Sequence, residues 1–432
     1  MAFMKNDTKN AAQLSQNDNC SKKLLTDAVV VTSENVKQIC ANFPSSAKAV
    51  FKALTQLKFG SLDVQLPNGQ LLKFASSGAG PNAQVTLHNW NPTRRLVFGG
   101  TIGAGESFME REWDSKDVTQ FLQLFSANHS LANKMITPAW LSNTFFQLRH
   151  WLNSNSKGGS KRNIAAHYDL GNDFYSLWLD KSMTYSSALF KDDKTSLQAA
   201  QTAKYQSLIE RTGISGTDKV LEIGCGWGGF AEYAAKTTDA HLTCLTISQE
   251  QLEFAQKRIF EAGLNEKVDL KFQDYRDENG AYDKIISIEM FEAVGEKYWN
   301  SYFETLNRCL KAGGKAGLQI ITIAEKSFDS YQKRPDFIQR YIFPGGMLPT
   351  PTHLSTLASN VGFDEETPVV FAKDYARTLA VWREVFLSKW DQIELLGFDD
   401  RFKRMWEFYL HYCEAGFLTQ NTDVRQVFYA KP

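Results

Sequence analysis

A short apolar run that passes into a cluster of glycines, at residues 220–230, constrains the fold of this chain more than any other feature. The apolar residues up to Ile223 favour a strand, Gly224 and Gly226 favour a sharp turn, and the residues that follow favour a helix. Because glycine has no Cβ, the backbone of such a turn lets a ligand approach closely. The stretch therefore predicts a strand, a turn and a helix, with a small molecule bound at the turn.

Glu222 distinguishes between the ligands that such a turn can bind. Glycine turns of this kind also occur without a ligand or bind a dinucleotide, and the glycines alone do not separate these cases. Glu222 lies near the end of the predicted strand, where its negative charge would repel a pyrophosphate. The same charge would attract the sulfonium and ammonium groups of S-adenosylmethionine. We therefore favour this methyl donor over a dinucleotide.

Strands and helices alternate downstream of the glycine turn. Predicted strands at residues 241–247, 268–272, 284–288 and 315–323 are separated by helical segments, one of which starts at Ser248. This alternation predicts a doubly wound, Rossmann-like α/β fold, in which the ligand crevice lies at the carboxyl ends of parallel strands. Four residues fall at such ends: Gly224, Thr246, Asp274 and Glu292.

The chain is too long for a single compact core, since it has 432 residues. Residues 1–45 are rich in Asn, Gln, Ser and Lys and are predicted to form a flexible leader. Residues 46–140 are predicted to form a smaller α+β auxiliary domain, and residues 141–162 a linker. The catalytic domain is then expected to cover residues 163–432.

The charge balance argues against a nucleic-acid-binding protein, because Lys+Arg and Asp+Glu both number 48. The sequence has no apolar span of membrane length, and its N-terminus is too polar for a signal peptide. We therefore expect a cytoplasmic protein, attached peripherally to the inner face of the membrane by local basic patches such as residues 157–162. The six scattered cysteines predict neither disulfide bonds nor a metal site.

Five motifs that occur in order resemble those of one known family. They lie at residues 167–174, 183–187, 222–229, 273–277 and 341–346. With them, the chain resembles the cyclopropane-fatty-acyl-phospholipid synthases, a family that includes the mycolic acid cyclopropane synthases. A weaker similarity around residues 103–109 extends to the lipid-carrier-like N-terminal domain of the full-length synthases, which suggests a lipid-binding role for the auxiliary domain.

The resemblance implies the transfer of a methylene group from S-adenosylmethionine to the double bond of unsaturated acyl chains in membrane phospholipids, giving cyclopropane fatty acids. It leaves open whether the enzyme is a homodimer.

Because Thr246 stands where an acidic ribose ligand is usual, Gln251 is expected to take over the ribose contact. For Tyr185 and Tyr275, ordinary aromatic packing is the alternative to a donor contact. The implied donor-binding residues are Tyr185, Ser186, Gly224, Gly226, Thr246, Gln251, Tyr275 and Arg276, to which the charge argument adds Glu222.

Ring closure requires a base and a stabilised carbocation. In the family, a bound bicarbonate is thought to take the proton, and the resemblance implies that Glu292, Tyr375 and the backbone of Ile321 hold it here. Ser187 replaces the family's cysteine and Gln319 its histidine, and both can still donate hydrogen bonds to an anion.

The loss of that histidine removes one proton acceptor, which bears on ring closure more than on methyl transfer. The alternative is therefore C-methylation of the same double bond, which would leave a methyl or methylene branch. A further alternative is a non-catalytic lipid-binding protein. Cys413 matches a cysteine sometimes assigned to the family's active site, although a cysteine on an apolar helix is usually a packing residue.

Overall fold

The computed structural model describes residues 28–131 and 170–432. The chain divides into two compact units, residues 1–138 and 139–432. The roles of the predicted domains remain predictions. Several predicted features lie wholly or partly outside the described residues: the first part of the leader, the linker 141–162, the basic patch 157–162 and the first three residues of the motif 167–174.

The N-terminal unit combines a mixed sheet with helices in its described part. Its strands are β1 (Val29–Val30), β2 (Phe59–Gln65), β3 (Leu71–Ala75), β4 (Gly78–Leu87) and β5 (Trp113–Asp114), arranged in the order β1-β3-β2-β4-β5. Its helices are α1 (Val36–Ile39), α2 (Ser45–Leu54), α3 (Asn91–Met109) and α4 (Val118–Ala127). This is the expected smaller α+β unit.

The boundary of the predicted leader was wrong over residues 28–45. β1 pairs with β3 in parallel, through Val29 with Leu72 and Val30 with Lys73. Val36 is buried as well, so the segment contributes to the core of the unit. The polar composition of the leader as a whole concealed these few apolar residues.

The C-terminal unit is built on a seven-stranded sheet. Its strands are β6 (Lys219–Ile223), β7 (His241–Thr246), β8 (Val268–Phe272), β9 (Tyr282–Ile288), β10 (Leu310–Ile323), β11 (Asp364–Val370) and β12 (Thr422–Ala430). They follow the order β11-β12-β10-β9-β6-β7-β8, and β12 runs antiparallel to both of its neighbours. The five strands from β10 to β8 are mutually parallel, which confirms the predicted doubly wound fold.

Helices cover both faces of this sheet. They are α5 (Asn172–Trp178), α6 (Leu197–Thr212), α7 (Gly229–Thr237), α8 (Gln249–Glu261), α9 (Trp299–Cys309), α10 (Glu325–Lys333), α11 (Phe337–Tyr341), α12 (Pro351–Asn360), α13 (Ala372–Ser388), α14 (Trp390–Glu394) and α15 (Asp400–Leu418). Within the described ranges, none of the helices is long and apolar enough to cross a membrane.

The alternation of side chains along the central strands explains why two helical layers form. Leu221 and Ile285 belong to one apolar cluster, whereas their neighbours Val220 and Ile286 belong to another. Strand order reverses at β6, whose neighbours are β7 on one side and β9 on the other. In folds of this type, ligands bind at this reversal, outside the carboxyl ends of the strands.

Candidate active site

The turn between β6 and α7 is built on glycines with left-handed backbone geometry. Gly224, Gly226 and Gly228 have φ values of 82°, 53° and 78°, which residues with a Cβ rarely adopt. A Cβ on Gly224 would lie 2.7 Å from Cγ of Met290, whereas one on Gly226 would meet no protein atom within 4 Å. The predicted sharp turn is confirmed, and the space beside Gly226 is open, as a bound ligand requires.

Trp227 and Arg258 hold this turn in place. Nε1 of Trp227 donates a hydrogen bond to Oδ1 of Asn172 at 2.7 Å, which ties the turn to the start of α5. Nη1 of Arg258 donates to the carbonyl oxygens of Trp227 at 2.8 Å and of Ser182 at 2.9 Å. Contacts to α5, to α8 and to the loop after α5 therefore fix the geometry of the turn.

Glu222 lies on β6 just before the turn, with 3% of its surface exposed. Burial raises the pKa of its carboxyl to about 7. Among the described residues, its Oε2 atom has no hydrogen-bond partner. A positive charge nearby would favour the ionised form, so this site fits the predicted approach of a cationic methyl donor.

Two predicted ribose-binding residues meet at the end of β7. Oγ1 of Thr246 donates to Oε1 of Gln251 at 3.2 Å, and the backbone N–H of Ser248 donates to the same hydroxyl at 3.1 Å. Both Thr246 and Gln251 are buried. The threonine thus orients the amide of Gln251, whose nitrogen can donate to a ribose hydroxyl.

The predicted adenine segment is a single turn of 3₁₀-helix after β8, Tyr275–Asp277. Arg276 makes a bidentate ion pair with Asp274, with Nε 2.8 Å from Oδ1 and Nη2 2.6 Å from Oδ2. The ring of Tyr275 packs against Tyr302, and burial raises the pKa of Tyr275 to about 12. Both residues lie at the carboxyl edge of the sheet, and their contact with adenine remains a prediction.

Tyr185 lies within a group of aromatic rings. Its ring centroid is 5.3 Å from Trp382, 5.4 Å from Tyr175 and 5.6 Å from Trp178. Its hydroxyl is hydrogen-bonded to that of Tyr409 at 2.7 Å. The aromatic packing considered as an alternative for Tyr185 is therefore present, and a direct contact with the donor remains a prediction.

Ser186 contacts a lysine that the sequence did not single out. Its Oγ atom accepts a hydrogen bond from Nζ of Lys204 on α6 at 2.6 Å. Lys204 is fully buried, and burial lowers the pKa of its ammonium group to about 7, although Glu289 and Asp180 favour its charged form. The hydroxyl of Ser186 is thus engaged by this lysine.

Three predicted catalytic residues converge on Glu289, which directly follows β9 and was not predicted. Its Oε1 atom accepts hydrogen bonds from the backbone N–H of Ser187 and from Nε2 of Gln319, both at 2.8 Å. Its Oε2 atom accepts a hydrogen bond from Oη of Tyr375 at 2.6 Å. Burial raises the pKa of Glu289, while Lys204 and the three donors oppose this rise.

A second layer of polar groups orients Gln319. Gln426 on β12 donates from Nε2 to Oε1 of Gln319 at 3.1 Å and accepts from Oγ of Ser207 at 2.6 Å. With its oxygen bound in this way, Gln319 presents its amide nitrogen to Glu289. This chain of hydrogen bonds fixes which end of the Gln319 amide faces the carboxylate.

Glu292 binds the backbone of Ile321 directly, whereas the two were predicted to hold a bicarbonate together. Its Oε1 atom accepts a hydrogen bond from the Ile321 N–H at 2.5 Å, and in the described part of the chain its buried Oε2 atom has no partner. Burial and the nearby Glu289 raise the pKa of Glu292 to about 8. The site therefore contains two carboxyl groups, of which Glu289 holds most of the hydrogen-bond donors.

Cys413 lies on α15, and burial raises the pKa of its thiol well above the usual value. Tyr375 lies close enough for its own pKa to be affected by this cysteine, although burial affects it more. A neutral thiol is a weak nucleophile, so the environment of Cys413 agrees with a packing role rather than a nucleophilic one.

The sequence does contain signals for Glu289 and Lys204, the two residues of this site that were not predicted. Glu289 follows the strand residue Ile288 directly, which is the same strand-end signal that identified Glu292. Lys204 lies four residues from Ala200 and from Leu208, both of which are buried on α6. A lysine at that spacing occupies a core-facing position of its helix.

Comparison with known proteins identifies relatives for most of the chain. Residues 155–427 match the family model described as mycolic acid cyclopropane synthetase. The tuberculostearic acid methyltransferase UfaA1 of Mycobacterium tuberculosis is 38% identical over 364 residues, which cover 82% of this chain and 84% of that protein. The cyclopropane-fatty-acyl-phospholipid synthase of Escherichia coli is 35% identical, covering 83% of this chain and 90% of that protein.

A solved structure matches the catalytic unit. The mycolic acid cyclopropane synthase CmaA1, crystallised with S-adenosylhomocysteine (SAH) and CTAB, superposes with a TM-score of 0.59 at 29% sequence identity. The match covers 63% of this chain and 98% of that one.

Proposed function

This chain belongs to the mycolic acid cyclopropane synthetase family, and we propose that it adds a methylene bridge across the double bond of unsaturated acyl chains in membrane phospholipids. It is an S-adenosylmethionine-dependent methyltransferase. The observation that carries the proposal is that the glycine turn lies beside the segment that carries both Glu289 and Glu292. Met290, which lies between Glu289 and Glu292 in sequence, packs against Gly224.

The residues around the turn suit a donor with a positive charge. S-adenosylmethionine supplies an activated methyl group when it is bound, and Gly226 leaves open space for its approach. The buried carboxylate of Glu222, when ionised, would attract the positive charge of the donor's sulfonium group. Gln251 would contact the ribose, and the segment at Tyr275 would contact the adenine.

The part of the site that binds the acyl chain must stabilise a carbocation and must exclude water, because water would react with the cation. An isolated alkene is a weak nucleophile, and methyl transfer to it leaves a carbocation. The ring of Tyr185, on the loop that also carries Ser187, forms an aromatic wall with Trp178 of α5 and Trp382 of α13. Aromatic faces attract cations and exclude water, so this wall suits both requirements.

Bicarbonate, which the family resemblance implied, does not fit the donors of this site. The Ser187 N–H, the Gln319 amide and the Tyr375 hydroxyl already bind Glu289, and the Ile321 N–H binds Glu292. A further anion would also meet the repulsion of the ionised Glu289 carboxylate. We therefore include no bicarbonate in the proposed reaction.

The phospholipid substrate requires access to a membrane, and we propose that the protein associates with the inner face of the cytoplasmic membrane as a peripheral enzyme. The absence of net charge means that no long-range attraction to anionic lipids is expected.

A second product is favoured by one relative. The tuberculostearic acid methyltransferase, 38% identical to this chain, is named for methyl transfer rather than for cyclopropane formation. In the same site, a 1,2-hydride shift would move the positive charge to the carbon that bears the new methyl group, and loss of a proton from that methyl group would then give a methylene branch. The two products have the same mass, so their structures must be compared.

The test is to incubate the purified protein with S-adenosylmethionine and vesicles whose phospholipids carry one cis double bond. We expect the acyl chains to gain the mass of one CH₂ and their proton spectra to show cyclopropane ring signals. Vesicles of saturated phospholipid are the matched control and should gain nothing. Vinylidene protons in place of ring signals would establish the methylene product, and an unchanged acyl chain would refute the proposal.

A further inference from the structure

The donors around Glu289 form a binding site for an oxyanion, which the chain fills with its own side chain. Ser187, Gln319 and Tyr375 each donate a hydrogen bond to the carboxylate of Glu289, at distances of 2.6 to 2.8 Å. The three donor residues are buried, whereas Glu289 itself is partly exposed. Glu289 is therefore the most accessible residue of this cluster.

We propose that Glu289 is the general base that accepts the proton released on ring closure. The inference rests on the proposed function and names the proton acceptor within it. After methyl transfer, one C–H bond of the new methyl group breaks, and its electron pair forms the second C–C bond of the ring. The proton passes to Oε2 of Glu289, so the carbocation and the carboxylate are both neutralised.

The hydrogen bonds of Glu289 leave room for that proton. A carboxylate has about four acceptor positions, of which three are occupied here and one on Oε2 remains. Tyr375 donates its hydroxyl proton to Glu289, and burial together with the carboxylate raises the pKa of Tyr375 well above its usual value. Tyr375 is therefore a donor that positions the base, and not the base itself.

Lys204 contributes to the charge state of this base. It is buried on α6, and its ammonium group favours the ionised form of Glu289, against the effect of burial. The balance leaves a carboxylate whose pKa is raised, and a raised pKa makes a carboxylate a stronger proton acceptor once it is ionised.

The backbone at Glu289 is strained in a way that supports a functional role. Its φ value is 49°, in the left-handed region that favours glycine. A residue with a side chain is held there only by its surroundings, in this case by the three donors. Replacement of Glu289 by glycine would relieve the strain and would leave an opening lined by the same donors.

The test compares the parent protein with Glu289→Gln and Glu289→Gly in buffer freed of carbon dioxide, with and without added bicarbonate. We expect the parent to form product at full rate without bicarbonate. Glu289→Gln should lose at least ~100-fold in turnover while its affinity for SAH stays within about 2-fold of the parent's. Glu289→Gly should be inactive alone and should regain activity as bicarbonate fills the opening. The matched control is Glu296→Gln, which changes an exposed glutamate bound to Gln332 and should behave as the parent.

A parent enzyme that forms product only when bicarbonate is added would overturn this assignment and leave the proposed function intact. This measurement needs no variant, so it holds even if both substitutions impair folding. Parent-level turnover in a folded Glu289→Gln protein would overturn it as well. A parent that forms no product under any condition would refute the proposed function together with the base that serves it.

Discussion

At the scale of single residues, Glu292 is a proposed catalytic residue whose burial lowers the stability of the folded protein at high pH. Its carboxyl has a pKa raised to about 8, so the folded state binds a proton that the unfolded state releases between about pH 4.5 and pH 8. The free energy of unfolding therefore falls as the pH rises through this window. Above it, the folded protein holds a charged, buried carboxylate with one unpaired oxygen.

We predict that Glu292→Gln reverses this effect and abolishes most activity. In the absence of a donor, the variant should be more stable than the parent at pH 8 by about 1–3 kcal/mol, with little difference at pH 5. Above pH 8, where the parent carboxyl is ionised, its turnover should fall by at least ~100-fold because the charge that offsets the developing cation is lost. Denaturant unfolding at the two pH values and a turnover assay check both parts. Equal stability at pH 8 would show that the Glu292 carboxyl is not strained by burial, and full turnover would remove it from the active site.

Single residues also show where sequence reasoning succeeded and where it failed. Ser187, Gln319 and Tyr375 were three of the six predicted catalytic residues, and all three bind Glu289. Their positions came from the family resemblance and not from local pattern. Their common partner Glu289 was missed because the predicted bicarbonate occupied that place in the expected mechanism. Lys204 was missed because lysine on a helix is usually exposed, and its burial depends on packing between α6 and the sheet.

At the scale of elements, replacement of Gly224 is a poor test of whether the glycine turn binds the donor. A side chain on Gly224 would collide with Met290 whether or not a donor binds there. Gly226 has a φ of 53° and open space around it, and Gly216, at the opposite end of β6, has a φ of 50° and equally open space. The two glycines therefore differ mainly in their distance from the proposed donor site.

We predict that Gly226→Ala and Gly216→Ala each cost about 1–2 kcal/mol of stability, because both place a Cβ in the left-handed region. Only Gly226→Ala should weaken SAH binding, by at least ~10-fold, which corresponds to about 1.4 kcal/mol. Calorimetric titration and thermal unfolding measure the two effects. Equal affinities in the two variants would place the donor elsewhere.

The strands of the parallel sheet were predictable because each coincides with a short, mainly apolar run of residues. β10 begins at Leu310, five residues before the predicted start. The prediction missed residues 311–314 because they are lysine, alanine and two glycines, and regular pairing with β9 is interrupted there. The position of β12 between β10 and β11 could not be read from local pattern, because strand order is set by pairing between distant segments.

At the scale of the whole molecule, binding of the donor product should be visible as a gain in thermal stability. A ligand at 100 times its Kd stabilises the folded state by about 2.7 kcal/mol. We therefore predict that SAH raises the melting temperature of the parent by several degrees and that of Gly226→Ala by much less at the same concentration. An unshifted parent would favour the non-catalytic lipid-binding alternative. Scanning calorimetry with adenosine as the control ligand distinguishes donor binding from a general effect of nucleosides.

The place of β12 in the sheet also bears on when the enzyme becomes active during its synthesis. β12 is the last element described along the chain, yet it pairs over nine residues with β10 and supplies Gln426, which orients Gln319 toward Glu289. This strand must therefore leave the ribosome before the sheet can close around the proposed base. A nascent chain can form the glycine turn after β6 early but cannot complete the hydrogen-bonded cluster around Glu289 until β12 has joined the sheet.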